Sequence, residues 1–106
     1  MILCSCGNDI KYFIAVARPH YSGRNIILSN GAYFTCSECC HNILKQWQNF
    51  NKERIVKYII QTAKVTVKTD TKKEFAKMAL PQIINQFDWY VPKTDIKRAL
   101  RETTKG

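Results

Sequence analysis

The sequence predicts an α+β protein on three observations. Short apolar and turn-separated runs fill the first 35 residues, a helical apolar period begins at Cys36, and five cysteines fall into two tight groups. The expected organisation is a cysteine-stapled module at residues 1–50 (a knuckle, a β-hairpin and a helix) with a basic, mainly helical region at residues 51–106 packed against it. At 106 residues the core is marginal on burial alone, which a structural metal would supplement.

Taken in order, Cys4-Ser5-Cys6-Gly7 reads as a tight knuckle, with Gly7 free to adopt the positive φ such a turn needs. The continuous apolar run Tyr12–Ala17 suits a buried strand, and the stretch from Pro19 to Gly23 is turn-rich. Asn30-Gly31, flanked by Ile26-Ile27-Leu28 and Ala32-Tyr33-Phe34, predicts a two-residue hairpin, because a type I′ turn needs φ > 0 at both central positions. Cys40, Ile43, Leu44, Trp47 and Phe50 then recur on one helical face. Cys36 and Cys39 therefore sit at the entrance and first turn of a helix, where free N–H groups and the helix dipole favour thiolates.

Asn51 is expected to cap a further helix with the apolar face Ile55, Val56, Ile59, Ile60 and Ala63. Val65–Thr69 alternates, as a short strand or an extended link would. Thr71-Lys72-Lys73-Glu74 has capping-box spacing and opens a helix through Phe75, Ala76, Ala79 and Leu80. Pro81 kinks that helix or starts another towards Phe87. Asp88–Lys93 reads as a turn, and Thr94 caps a last helix bearing Ile96, Ala99 and Leu100.

The chemistry resides first in the cysteines. Cys36-x-x-Cys39 has the spacing for two thiolates to share one tetrahedral Zn²⁺, and Cys4 with Cys6 supplies a second pair. One structural zinc held by Cys4, Cys6, Cys36 and Cys39 is the expected cofactor. Because the first pair is Cys-x-Cys, His20, Cys40 or His41 could stand in for one ligand. Cys40 otherwise reads as a buried free thiol, and the two histidines as surface groups. Four protein ligands leave no open position, so such a site folds the chain and catalyses nothing. A nuclease reading would use His20 and Asn42, but the loop from Arg18 to Arg24 holds no carboxylate for a catalytic metal. There is no Ser/His/Asp arrangement, P-loop or dinucleotide fingerprint, so the expectation is no enzyme and no small-molecule substrate.

Net charge is +9, placed unevenly: residues 1–50 carry four Lys/Arg against two acids, residues 51–106 thirteen against six. Such a field attracts polyanions. Lys52, Arg54, Lys57, Lys64, Lys68, Lys72, Lys73, Lys77, Lys97, Arg98 and Arg101 are the expected nucleic-acid contacts, DNA or RNA, in a regulatory role, with an acidic protein as the alternative partner. The segment from Ile83 through Thr94 onward is a weak helix-turn-helix, its turn longer than usual. Trp89 and Tyr90 could stack on bases, though packing under the last helix is the ordinary role of such a pair. No apolar run of about 18 residues exists, so no membrane span is expected. No basic leader with an apolar stretch is seen, so a cytoplasmic setting with reduced thiols is expected.

The order knuckle, hairpin, then Cys-x-x-Cys on a helix N-terminus is the layout of a treble-clef zinc finger. Residues 2–47, under half the chain, resemble the N-terminal zinc-binding domain of the bacterial unfoldase ClpX. The likeness lies in Cys4-Ser5-Cys6-Gly7 and in Tyr33-Phe34-Thr35-Cys36-Ser37-Glu38-Cys39 followed by Asn42-Ile43-Leu44. The resemblance implies docking of adaptor proteins and leaves room for a homodimer; no ATPase motif is present, so unfolding activity is not implied. Small size and Asn/Lys-rich composition suit a viral or mobile-element regulator acting in a host cytoplasm, on nucleic acid or on a machine such as RNA polymerase or a protease adaptor system.

Overall fold

In the computed structural model, residues 2–19 and 28–103 are described. The elements are β1 (Tyr12–Arg18), β2 (Leu28–Thr35), α1 (Ser37–Glu53), β3 (Ile59–Lys64), α2 (Lys72–Gln86) and α3 (Lys93–Arg101). The strands form one antiparallel sheet in the order β2-β1-β3.

β1 is apolar from Phe13 to Ala17 because it is the central strand, and those residues are all fully buried. A strand covered on both faces reads as a continuous hydrophobic run, not an alternating one. On one face Phe13 lies level with Phe34 of β2 and Ala63 of β3. That row packs into a core with Phe75, Ala79 and Ile83 of α2 and Ile96, Ala99 and Leu100 of α3. Tilted and edge-on rings knit it together, Phe13 to Phe34 at 4.9 Å and Phe34 to Phe75 at 5.3 Å. Ile14 and Val16 alternate to the opposite face and are equally buried, and α1 packs against β1 and β2.

Four expectations need correction. Asn30-Gly31 is not a hairpin turn: both lie inside β2, whose partner is β1. Val16 pairs with Gly31 and Ala17 with Ser29, so Asn30 is the extra residue of a β-bulge. Ile26 and Ile27 fall outside the described residues. Asn51 caps no helix. It lies in the last turn of α1, and its side-chain amide donates to the Tyr58 carbonyl (3.0 Å) and accepts the Tyr58 N–H (2.9 Å). That clasp closes the turn into β3, and Ile59–Lys64, paired with β1, is a strand and not a helix. Of the two roles expected of Pro81, opening a new helix does not hold, for it lies inside α2, which runs on to Gln86. α3 begins at Lys93 with Pro92 as its N-cap, so Thr94 is inside the helix instead of capping it.

Elsewhere the local chemistry behaves as read. Thr71 caps α2 by accepting the Glu74 N–H at 3.3 Å, although the Glu74 carboxylate reaches the Thr69 hydroxyl (2.9 Å). The free edge of β3 is covered by two glutamines one helical turn apart. Gln86 accepts the Lys64 N–H and donates to its carbonyl, both at 2.8 Å, and Gln82 does the same for Thr66 at 2.8 and 3.3 Å. These amides stand where a fourth strand would, protecting an otherwise adhesive edge.

Candidate metal centre and basic surface

The knuckle is a turn in which the Gly7 N–H donates to the Cys4 carbonyl at 2.8 Å, with Gly7 at φ +92°. The Cys4 N–H donates to the Asn8 carbonyl at 2.9 Å, and Leu3 bridges Asp9, so the loop folds back on itself. Its cysteines then face the start of α1. Cys36 is the N-cap residue, its sulfur accepting the Cys39 N–H at 3.4 Å, while its carbonyl takes the first helical bond from Cys40 at 3.0 Å.

The Sγ atoms of Cys4, Cys6, Cys36 and Cys39 all lie within 4.8 Å of one another, and those of Cys6 and Cys36 are 3.3 Å apart. All five cysteines are free thiols. A tetrahedral ion with metal–thiolate bonds of about 2.3 Å needs sulfur–sulfur edges of about 3.8 Å, which these separations bracket. Cys4 and Cys36 are buried, Cys39 half-buried and Cys6 exposed. The donor set and its spacing fit a metal ion.

Electrostatics point the same way. Burial pushes the Cys36 thiol up, but the Cys39 N–H and the neighbouring thiols of Cys6, Cys39 and Cys4 outweigh it and bring Cys36 down to about 6. Cys4 is lowered as well: burial again opposes, and the backbone N–H groups of Cys6 and Cys36 prevail. Cys39 moves the other way, raised first by the Cys6 sulfur and then by burial. Without a cation the cluster therefore shares protons unequally, and a divalent ion bound there would replace them.

Cys40 lies outside the four. It is buried, burial raises its thiol, and the Thr35 hydroxyl beside it offsets this in part. Thr35 Oγ1 is otherwise without a hydrogen-bond partner. His41 is exposed, and His20 lies outside the described residues. Sequence reasoning missed Asn8, whose amide donates to the Cys6 sulfur at 3.3 Å and so supports the exposed thiol of the cluster. Its only sequence signal is its position directly after the knuckle glycine. Asn42 lines a cavity of about 360 Å³ beside Cys39, together with Ser5, Thr35 and Thr103.

The predicted basic residues are spread over several elements. Lys52 lies in the last turn of α1, Arg54 and Lys57 lie in the link to β3, Lys64 ends β3, and Lys68 lies in the link to α2. The Arg54 guanidinium sits 4.6 Å over the Phe50 ring, beside a cluster of Trp47, Phe50 and Tyr58. Arg98 pairs with Asp95 at 3.3 Å, and no other cation among the described residues has such a partner. Lys77 is exposed one turn beyond Lys73. Lys72, Lys73, Lys97 and Arg101 converge on a groove of about 450 Å³ between α2 and α3, with Ala76, Thr94 and Leu100. Trp89 stacks on Phe87 at 6.0 Å and packs against the core, whereas Tyr90 is exposed.

Among the described residues no helix is long and apolar enough to cross a membrane. Comparison with protein-family profiles, with curated proteins and with solved structures finds no match for this chain.

Proposed function

We propose that this is a non-enzymatic regulatory protein in which one Zn²⁺, held by Cys4, Cys6, Cys36 and Cys39, staples a treble-clef-like module, and whose basic C-terminal half binds nucleic acid. Four soft thiolates with no fifth donor suit zinc in a structural role, since a closed tetrahedral shell has no place for substrate. The order knuckle, β1–β2 hairpin and α1 supports the kinship to treble clefs expected above. The observation that carries the nucleic-acid reading is the uncompensated charge. Residues 51–106 hold thirteen cations against six acids, and of the described cations Arg98 alone is paired to a carboxylate. A surface of that sign draws in phosphate polymers and releases their counterions on binding. The test is affinity for oligonucleotides as a function of salt. A tenfold or greater loss between about 50 and 200 mM is expected; no binding at about 50 mM ends the reading.

A second reading, docking onto an acidic host protein, draws on a different surface. Ile55 is fully exposed, with Val56 and Ile59 partly so, on either side in the chain of Tyr58, whose ring packs on Trp47 and Phe50. Exposed apolar side chains gathered beside cations suit protein contact. That reading expects one specific partner to be retained in a pull-down from host extract after nuclease treatment.

A further inference from the structure

The α2–α3 groove differs from the rest of the basic surface in having both a rim and a floor. Lys72 and Lys73 approach it from the first turn of α2, and Lys97 and Arg101 from α3. Between them lie Ala76 and Leu100, and no carboxylate lines the groove. The nearby acid on α3, Asp95, is engaged by Arg98 at 3.3 Å. Lys72 is anchored by one bond, from Nζ to the Thr103 carbonyl at 3.5 Å, which fixes it at the rim with donors to spare. We infer that this groove is a binding trough for single-stranded nucleic acid, taking phosphates on the Lys72, Lys73, Lys97 and Arg101 rim and sugar or base faces on the Ala76–Leu100 floor. The inference rests on the nucleic-acid reading and assigns it a place and a strand form.

Three physical points select a single strand. The feature is a recess between helices, not a ridge, so a duplex could lay phosphates on its rim but could not bring base faces to its floor. Lys97 and Arg101 are four residues apart, about 6 Å along the helix axis, a spacing that lets them take successive phosphates of an extended strand. With its four cations given to phosphates, the Thr94 hydroxyl is the one uncharged polar side chain left in the lining, so binding is dominated by charge and nearly insensitive to sequence.

The experiment is fluorescence anisotropy with a labelled oligothymidylate of about 12 nucleotides and a duplex of equal length, titrated across salt. Wild type is expected to prefer the single strand. Lys97→Ala with Arg101→Ala should flatten its log-affinity against log-salt slope by about 1.4, from about 0.7 per phosphate contact. Lys73→Ala, on the opposing helix, should remove about 0.7 independently. Lys45→Ala, on α1 and outside the groove, should leave the slope unchanged. Lys73, Lys97 and Arg101 are exposed, so unchanged thermal melts should accompany every groove variant. Binding by wild type with no change in the groove variants, or a preference for duplex, overturns the inference while the nucleic-acid reading stands. Absence of any oligonucleotide binding removes both. Tighter binding of polyglutamate than of the oligonucleotide would overturn it too, assigning the groove to an acidic protein.

Discussion

Cys36 serves the fold in two ways, and the two are separable. Its sulfur accepts the Cys39 N–H as a helix N-cap, and the same atom belongs to the four-sulfur cluster. Serine is among the best N-caps, so Cys36→Ser preserves the cap and deletes only the metal ligand. Cys36→Ser and Cys39→Ser are expected to lose the metal and to unfold at ambient temperature, by circular dichroism, because zinc ligation is worth several kcal/mol. Cys40→Ala should keep one metal per chain, since that thiol lies outside the cluster. Zinc binding should also displace protons. The metal-free chain is expected to be unfolded, so the four thiols start protonated at pH 7, in the ordinary range of about 8.5. Calorimetry in buffers of different ionisation enthalpy should find close to four protons released per zinc at pH 7, falling as pH rises through about 8.5. Release that does not change with pH would contradict this. At this scale the sequence is informative: paired spacing and a knuckle glycine point to all four sulfurs, and Gly7 has the positive φ its position suggests. Asn8 was not legible, because a side-chain bond to sulfur leaves no periodic trace.

At the scale of elements, legibility depended on whether local and distant forces agreed. α1 and the α2 cap follow from helical spacing and a capping threonine. β3 does not. Ile55, Val56, Ile59, Ile60 and Ala63 fit a helical stripe, yet Ile59–Lys64 pairs with β1, and pairing with a buried strand outweighs local propensity. Asn30-Gly31 misled for the same reason. The turn signal is real, but β1 needs a partner along its length, and the chain absorbs the extra residue as a bulge. The glutamine clasp on β3 offers a direct test. Gln86→Ala removes two bonds to Lys64, at about 1 kcal/mol each, so melting should fall by about 1–2 kcal/mol and the Lys64 amide should exchange faster. Unchanged exchange at Lys64 would mean that the edge is protected by something else. Thr71→Ala should cost about 1 kcal/mol through the lost cap, read in the same melts.

Over the whole molecule, the sheet joins what composition divides. β1 follows the knuckle, β3 comes from the basic half, and one core takes in Cys4 and Cys36 together with α2 and α3 residues. Stripping the metal should therefore melt the sheet and C-terminal helices with the knuckle, in one transition and not two. A surviving folded C-terminal half after chelation would show the two halves to be independent. The uneven charge is a property of this scale too, and its expected signature is a salt dependence to which individual cations each contribute a share. The most direct test of the central claim is the metal content of freshly purified protein, followed by circular dichroism before and after chelation. One zinc per chain, with ordered structure lost on its removal, is the predicted result; an intact fold carrying no metal would contradict it.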